Sequence, residues 1–242
     1  DERWRLLPQR AVWWEARRTL IVADLHLGKA ASFRAGGVPV PEVVEADLVR
    51  LDDAITASGG PGVVERIVIV GDLIHAACGR ASAVIDAVAA WRRARANLDI
   101  VLIRGNHDQR AGDPPLEWNF RVADGPWMLD AVDRIGFVHD PDRAPEHGEP
   151  EHHVCIGGHL HPAVVMGDKL MSVRAACFWV RPGSMVLPAF GRFTGGHAIC
   201  PRAGDRVFAV GRGEVVEAAC EESSPRRSVR PERHWRQSTS AR

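Results

Sequence analysis

The chain has 242 residues, of which 45% are hydrophobic and 26% charged, so it can form one large domain with a substantial core. Lysine plus arginine equals aspartate plus glutamate at 31 each, so the net charge does not indicate a polyanionic partner. No hydrophobic run approaches the ~20 residues of a membrane span, and the five cysteines include no CxxC pair, so we expect a cytoplasmic protein without a membrane partner.

Five hydrophobic runs predict strands, and each run ends in a polar cluster. Their continuous rather than alternating hydrophobicity indicates strands that are covered on both faces. Residues 43–55 and 82–98 lie between the first three runs and have helical spacing, so this part predicts a largely parallel sheet with helical crossovers. In chain order the runs are TLIVADLHLGKA, ERIVIVGDLIHA, LDIVLIRGNHDQR, DRIGFVHDP and HHVCIGGHLHP.

The pattern changes in the second half of the chain. After residue 162, short hydrophobic runs separated by Gly, Asp and Pro predict antiparallel strands. Residues 141–152 predict a polar loop. From residue 221 onward the chain consists mainly of Ser, Arg and Pro and lacks the residues of a core. We therefore expect one catalytic domain over residues 1–220 and a basic, flexible tail over residues 221–242.

The polar clusters all follow predicted strands, which is where ligands bind in open α/β sheets. They combine carboxylate, imidazole and amide groups, a mixture that binds divalent transition metals, and the absence of cysteine argues against structural zinc. One such cluster would be weak support for a metal site, because an isolated D-x-H often forms a turn, but five in equivalent positions predict one. The clusters contain Asp24 and His26, Asp72 and His75, Asn106, His107 and Asp108, His139, and His159 and His161.

His159 and His161 raise a question about the number of metal ions. Side chains two residues apart on an extended chain point to the same side. The spacing alone therefore suggests that both histidines bind one ion just beyond the end of their strand.

These motifs resemble the motif series of the calcineurin-like metallophosphoesterases. The resemblance extends over about residues 20–162 and implies an α/β fold, a double β-sandwich flanked by α-helices (αββα). It also implies a binuclear metal centre, in which His159 and His161 bind different ions. The matching motifs are Asp24-x-His26, Gly71-Asp72, Gly105-Asn106-His107-Asp108, His139 and Gly158-His159-x-His161.

The resemblance assigns roles to individual residues. Asp72 would bridge two divalent ions, and His107 would face the phosphate and protonate the leaving oxygen, so these two are the predicted catalytic residues. His75, Asp108 and Arg104 are candidates for contacts behind the ligands or with substrate, although His75 could equally cap the segment that follows it. The resemblance favours Mn²⁺, with Fe²⁺ and Zn²⁺ as alternatives. Metal 1 would be bound by Asp24, His26, Asp72 and His161, and metal 2 by Asp72, Asn106, His139 and His159.

Motifs that distinguish the subfamilies narrow the range of possible substrates. The chain has no tyrosine, which excludes the purple acid phosphatases with their tyrosine ligand, and GDLIHA and GNHD differ from the Ser/Thr protein phosphatase motifs. GDLIH resembles a motif of the SbcD-type nucleases, and LLPQRAVWW and CFWVRPGSMVLPAFGRFTGG resemble the bacterial ligase-associated phosphoesterases, the PdeM branch. That branch implies a Mn²⁺-dependent DNA endonuclease in DNA repair, associated with an ATP-dependent DNA ligase and an Lhr-type helicase. The SbcD-type enzymes extend beyond the catalytic domain to engage an ATPase partner and DNA, and no comparable extension is evident here. We therefore expect a small nuclease with an open metal cleft, which suits flexible single-stranded DNA.

Two alternatives remain open at this point. The same chemistry could act on a small substrate such as a cyclic nucleotide. The chain could also be a non-catalytic docking subunit of a ligase and helicase module, although the complete ligand set argues against this. Lys29, Arg34, Arg104, Arg110 and Arg192 lie near the motifs and could contact flanking phosphates, but each is more simply a solvated surface charge.

Overall fold

Two β-sheets pack face to face, and helices cover the outer face of the first sheet. The computed structural model describes residues 3–41, 43–129, 134–143, 154–167 and 172–219. The predicted tail over residues 221–242 and most of the predicted polar loop over residues 141–152 lie outside these ranges. The predicted α/β fold with two packed sheets is confirmed.

The first sheet has six strands in chain order, β1 to β6. The strands β3 to β6 are parallel to one another, as the helical spacing between the hydrophobic runs predicts, whereas β1 and β2 extend the sheet as antiparallel strands. The strands are β1 (Trp4–Leu7), β2 (Ala11–Trp14), β3 (Thr19–Ala23), β4 (Arg66–Val70), β5 (Asp99–Ile103) and β6 (Arg121–Ala123).

Both predicted helices form in the connections of this sheet. In α2, Leu48, Leu51 and Ile55 are buried on one side at helical spacing. The longest helix has 14 residues, and no helix in the described ranges has the length and hydrophobicity to cross a membrane. The α-helices of the described residues are α1 (Lys29–Ala35), α2 (Val44–Ala57), α3 (Ser82–Arg93) and α4 (Asn106–Ala111).

The second sheet contains the remaining strands of the described chain. Its main path runs in the order β13, β10, β11, β12, β9, β8, β7, and β14 pairs with β11 and β15. The prediction of antiparallel strands after residue 162 is confirmed for most pairs, but β10 pairs with β13 and β12 with β9 in parallel. The strands are β7 (Trp127–Met128), β8 (Ile135–Phe137), β9 (Val154–Gly157), β10 (Pro162–Gly167), β11 (Ser172–Arg181), β12 (Ser184–Val186), β13 (His197–Ala198), β14 (Arg206–Val210) and β15 (Val215–Ala218).

Successive side chains of the parallel strands enter two different cores. In β3, Leu20 and Val22 pack in the core that the sheet shares with the helices, whereas Ile21 and Ala23 pack in the core between the two sheets. Because side chains alternate across a strand and both faces are covered here, all four positions are hydrophobic. Burial on both faces holds the ends of these strands in fixed positions, and the candidate site lies at those ends.

Candidate metal centre

The predicted polar clusters meet at one edge of the two sheets. The loops after β3 and β4 are joined by a hydrogen bond from the His26 N–H to the Asp72 carbonyl, at 2.8 Å. The loops after β8 and β9 are joined by one from the Gly158 N–H to the His139 carbonyl, at 3.0 Å. These backbone hydrogen bonds position the side chains of neighbouring loops relative to one another.

Three clusters of potential metal-binding atoms result, and within each cluster the atoms lie within 4.8 Å of one another. The Asn106 Oδ1 adds a further oxygen, 3.0 Å from His139 Nε2. With Asn106, the first two clusters contain all seven predicted metal-binding residues. The first cluster consists of Asp24, His26 and His161, the second of Asp72, His139 and His159, and the third of His26, His75 and His107.

His159 and His161 belong to different clusters, so the extended-chain geometry that suggested a shared ion is not observed. His161 Nε2 lies 3.3 Å from His26 Nε2, whereas His159 Nδ1 lies 3.1 Å from His139 Nε2. The physical reason is the backbone, because His159 and His161 have φ values of 66° and 45° and are not extended. Left-handed residues recur at Asp24, His26 and Asp72, and such backbone strain is concentrated at functional sites.

Asp24 and Asp72 each direct one carboxylate oxygen towards the clusters. Asp24 Oδ2 accepts a hydrogen bond from the His159 N–H at 2.9 Å, while its Oδ1 is buried and has no hydrogen-bond partner in the described chain. Asp72 Oδ1 accepts one from the His107 N–H at 2.9 Å, while its Oδ2 lies 3.3 Å from His139 Nε2 and 3.7 Å from His26 Nε2. A buried carboxylate oxygen without a donor is costly, and a cation would satisfy it. The donor set therefore fits divalent cations, with Asp72 Oδ2 between the two clusters.

The spacing of the second cluster also fits a cation. Ligand bonds of about 2.1 Å at right angles place neighbouring ligand atoms about 3.0 Å apart. His139 Nε2 lies 3.0 Å from Asn106 Oδ1, 3.1 Å from His159 Nδ1 and 3.3 Å from Asp72 Oδ2. The three other donor atoms thus lie around His139 Nε2 at about the separation that one shared ion would impose.

Backbone carbonyls orient two of the histidine rings. His139 Nδ1 donates to the Val70 carbonyl at 3.4 Å, which leaves Nε2 for the second cluster. His107 Nδ1 donates to the His75 carbonyl at 2.6 Å, which leaves Nε2 as the nitrogen that gains or loses a proton. A second hydrogen bond of this kind fixes the tautomer of a metal-binding or catalytic histidine.

The pKa values of the cluster residues determine which of their side chains are ready to bind a cation. Burial lowers the pKa of His26 to about 2, so its ring is neutral at pH 7. Burial alone would raise the pKa of Asp72, but the hydrogen bond and charge of His139 outweigh it and hold that pKa at about 2. Burial, with the charges of His107 and Lys29, lowers the pKa of His75 to about 4. Burial alone would lower the pKa of His139, but its hydrogen bond to Asp72 and the charges of Asp24 and Asp72 outweigh burial and raise that pKa. Metal binding requires neutral imidazoles and ionised carboxylates, so a cation in the second cluster would have to displace the proton from His139 Nε2.

The three predicted supporting residues take different places. His75 Nδ1 lies 3.3 Å from His26 Nδ1, behind the first cluster. Asp108 is buried and accepts hydrogen bonds from the N–H groups of Ile74 and Gly105, both at 3.0 Å, so it ties the loop after β4 to the start of α4. Arg104 is held by Asp113 and Asp124, and its contact with substrate stays a prediction.

Asp140 is a neighbour of the site that the sequence motifs do not predict. Its Oδ2 lies 3.7 Å from His159 Nε2, on the opposite side of the ring from the second cluster. Its position directly after His139 was the available signal in the sequence. Asp140 also lines a cavity of about 370 Å³ together with Asn106, Arg110 and Arg143, so the second cluster borders an open space.

Gly71→Ala is expected to disturb the second cluster. A Cβ at Gly71, where φ is 78°, would lie 1.9 Å from His139 Nδ1, so the ring would have to move. Gly62→Ala is the matched control, because its φ of 87° imposes the same backbone strain but a Cβ there meets nothing within 4 Å. We expect Gly62→Ala to lose about 1 kcal/mol of stability from backbone strain and Gly71→Ala to lose more, because the His139 ring is also displaced. Only Gly71→Ala should lose bound metal, as measured by elemental analysis beside thermal unfolding. Equal metal content in the two variants would contradict this assignment.

Comparisons with known proteins agree with this geometry. A family model described as calcineurin-like phosphoesterase matches residues 17–159. The crystal structure of the nuclease MPE from Pseudomonas putida is 38% identical, with a TM-score of 0.73, over 90% of this chain and 96% of that chain. A Vps29 double mutant from Entamoeba histolytica is 14% identical over 83% of this chain and 99% of that one, but its TM-score of 0.32 is too low to indicate a shared fold. No match was found among curated proteins.

Proposed function

Since the chain belongs to the calcineurin-like phosphoesterase family and is a hydrolase that acts on phosphoester bonds, we propose that its substrate is DNA, cleaved at internal phosphodiester bonds with two Mn²⁺ ions. The observation that carries the proposal is the position of Asp72 Oδ2, which faces nitrogens of both ligand clusters. The 38% identical relative is a nuclease, which supports a nucleic acid as the substrate.

The predicted ligands would hold one cation at the first cluster and one at the second, with Asp72 contributing to both. Two divalent cations supply Lewis acidity, which activates water as a nucleophile and neutralises the charge that builds on the phosphate. The backbone N–H groups of His107 and His159 each bind one oxygen of Asp72 and Asp24, which directs Asp72 Oδ2 towards His139 and leaves Asp24 Oδ1 without a donor in the described chain. The chain thus supplies anionic ligands in a fixed orientation.

His107 is suited to deliver a proton to the leaving oxygen. Its side chain is 28% exposed, and its Nε2 lies 4.0 Å from Asp72 Oδ2, so it borders the clusters and remains accessible to substrate. Because Nδ1 is committed to the His75 carbonyl, the protonated ring can release only its Nε2 proton to substrate. Neutral His107 then keeps the Nδ1–H tautomer and can be protonated again at Nε2.

A single strand fits the recessed position of the ligands better than a duplex. Asp24, His26, Asp72 and His139 are each no more than 6% exposed. A scissile phosphate must therefore enter the recess, and a flexible single strand can bend into it. Duplex DNA is stiff over about 50 nm and resists such bending. A role in DNA repair, with an ATP-dependent DNA ligase and an Lhr-type helicase as partners, stays a prediction.

The test is hydrolysis of circular single-stranded DNA and of bis(p-nitrophenyl) phosphate by the purified protein. With Mn²⁺ we expect the circle to become linear and then to fragment, because an endonuclease needs no free end. A chelator should abolish both activities, and added Mn²⁺ should restore them more effectively than Zn²⁺ or Fe²⁺. Hydrolysis of the chromogenic diester without any cut in the circle would refute the DNA substrate and favour a small-molecule phosphodiesterase.

A further inference from the structure

A second and smaller cavity lies on the His161 side of the candidate metal centre. Its volume is about 130 Å³, and neither ligand cluster extends into it beyond His161. We call it the arginine cavity, because Arg10 and Arg174 line it. Thr194, Gly195 and Gly196, in the loop before β13, line it as well.

The arginine cavity offers hydrogen-bond donors. Arg174 on β11 is exposed, and its Nη1 makes a long hydrogen bond of 3.4 Å to the Gly196 carbonyl. Arg10 donates one N–H to the Ala189 carbonyl at 3.0 Å. Among the described residues, the remaining guanidinium N–H groups of Arg10 and Arg174 and the backbone N–H groups of Gly195 and Gly196 have no acceptor. The described lining contains no carboxylate, so the cavity is suited to an anion.

The charge of the arginine cavity distinguishes it from the larger cavity beside His159. There Asp124 and Asp140 accompany the arginines, and Arg104 is bound by two carboxylates. Behind Arg10, by contrast, Arg50 and Arg192 also surround the single buried carboxylate of Asp47. Asp53 also interacts with Arg50, so three guanidinium groups face two carboxylates and leave an excess of positive charge on the arginine cavity side.

We propose that the arginine cavity binds the phosphate of the substrate strand that neighbours the phosphate being hydrolysed. This subsite rests on the proposed function, because only a nucleic acid strand carries a second phosphate in series with the first. His161 belongs to the first cluster and also lines the cavity, so a phosphate bound in the cavity would lie beside the first cluster. Guanidinium groups bind phosphate oxygens with charge-assisted hydrogen bonds.

The test places one neutral linkage in an otherwise normal strand. An end-labelled single-stranded oligonucleotide carrying a single methylphosphonate is compared with the all-phosphate strand, with Mn²⁺ present, and the cut at each neighbouring linkage is quantified. In the wild-type protein we expect the cut on one side of the neutral linkage to fall about tenfold, because a charge-assisted contact is lost. In Arg174→Ala, cutting at that linkage should be about equally fast in the strand with the neutral linkage and in the all-phosphate strand. Arg174→Lys should retain part of the effect.

Arg202→Ala is the matched control, because it removes one exposed arginine that does not line the cavity. It should keep the tenfold effect, and thermal unfolding should show that Arg174→Ala is folded, since exposed substitutions change stability little. The subsite would be refuted if the neutral linkage did not change cutting by the wild-type protein, or if its effect persisted in Arg174→Ala. Either result would leave the proposed function standing. Hydrolysis of bis(p-nitrophenyl) phosphate without any cut in the normal oligonucleotide would overturn the proposed function and the subsite with it.

Discussion

Asp72→Asn is expected to lower kcat/KM for phosphodiester hydrolysis by at least about 10³-fold, because several kcal/mol of charge stabilisation depend on cations held by this residue. Asp72 Oδ2 faces His139 Nε2 at 3.3 Å and His26 Nε2 at 3.7 Å, so the substitution removes the anion that serves both clusters. Asparagine keeps an oxygen for the His107 N–H, so the loop should retain its conformation. The variant should also contain less metal than the wild-type protein by elemental analysis.

A control for Asp72→Asn is available at the opposite end of the same sheet. Asp99 begins β5 and forms ion pairs with Arg66 and Arg121, away from the clusters. Asp99→Asn should retain both the activity and the metal content, although it removes a carboxylate as well. The bridging role of Asp72 would be untenable if Asp72→Asn kept both cations and wild-type turnover.

His107→Ala is expected to separate turnover from metal binding. A general acid contributes roughly 10²–10⁴-fold to a rate, so kcat should fall by that range, while metal content should remain that of the wild-type protein. The His107 side chain lies outside the first two clusters, and its Nε2 is 4.0 Å from Asp72 Oδ2. The loss should be smaller for a substrate with an acidic leaving group such as p-nitrophenol, because that oxygen needs no proton.

His197→Ala provides the histidine control. His197 is exposed on β13 and stacks against His161, with ring centroids 6.1 Å apart, but it belongs to none of the three clusters. It should retain most of the wild-type turnover. If His107→Ala lost metal instead of turnover, His107 would be a ligand and the leaving oxygen would need another proton source.

The sequence was sufficient to predict the elements that carry the motifs. In β3, β4 and β5 every position after the first is hydrophobic and buried, because both faces of these strands are covered, and the strand ends show a sharp change to polar residues. The helix over residues 43–55 could be predicted because its buried side chains recur at helical spacing and Gly59 and Gly60 follow it. Local pattern determines such elements, so one chain is enough to find them.

Contacts between distant segments could not be predicted in the same way. The separation of His159 from His161 depends on left-handed backbone at both residues, which the i and i+2 rule for extended chains does not anticipate. The orientation of His107 depends on the carbonyl of His75, and a carbonyl has no signature in the sequence. The arginine cavity joins Arg10, near the start of the chain, to Arg174 on β11, and only the packing of the two sheets brings them together.

The predicted metal ligands come from both sheets, which links metal binding to the stability of the fold. Asp24, His26 and Asp72 follow strands of the first sheet, whereas His139, His159 and His161 follow strands of the second, and each of the first two clusters draws on both sheets. A cation at either cluster would therefore cross-link the two halves of the sandwich, and the sheets could part only by releasing it. The free energy of unfolding would then increase with the free metal concentration by mass action. Conversely, a substitution that creates a cavity in the core between the sheets would weaken metal affinity, although it lies away from the ligands.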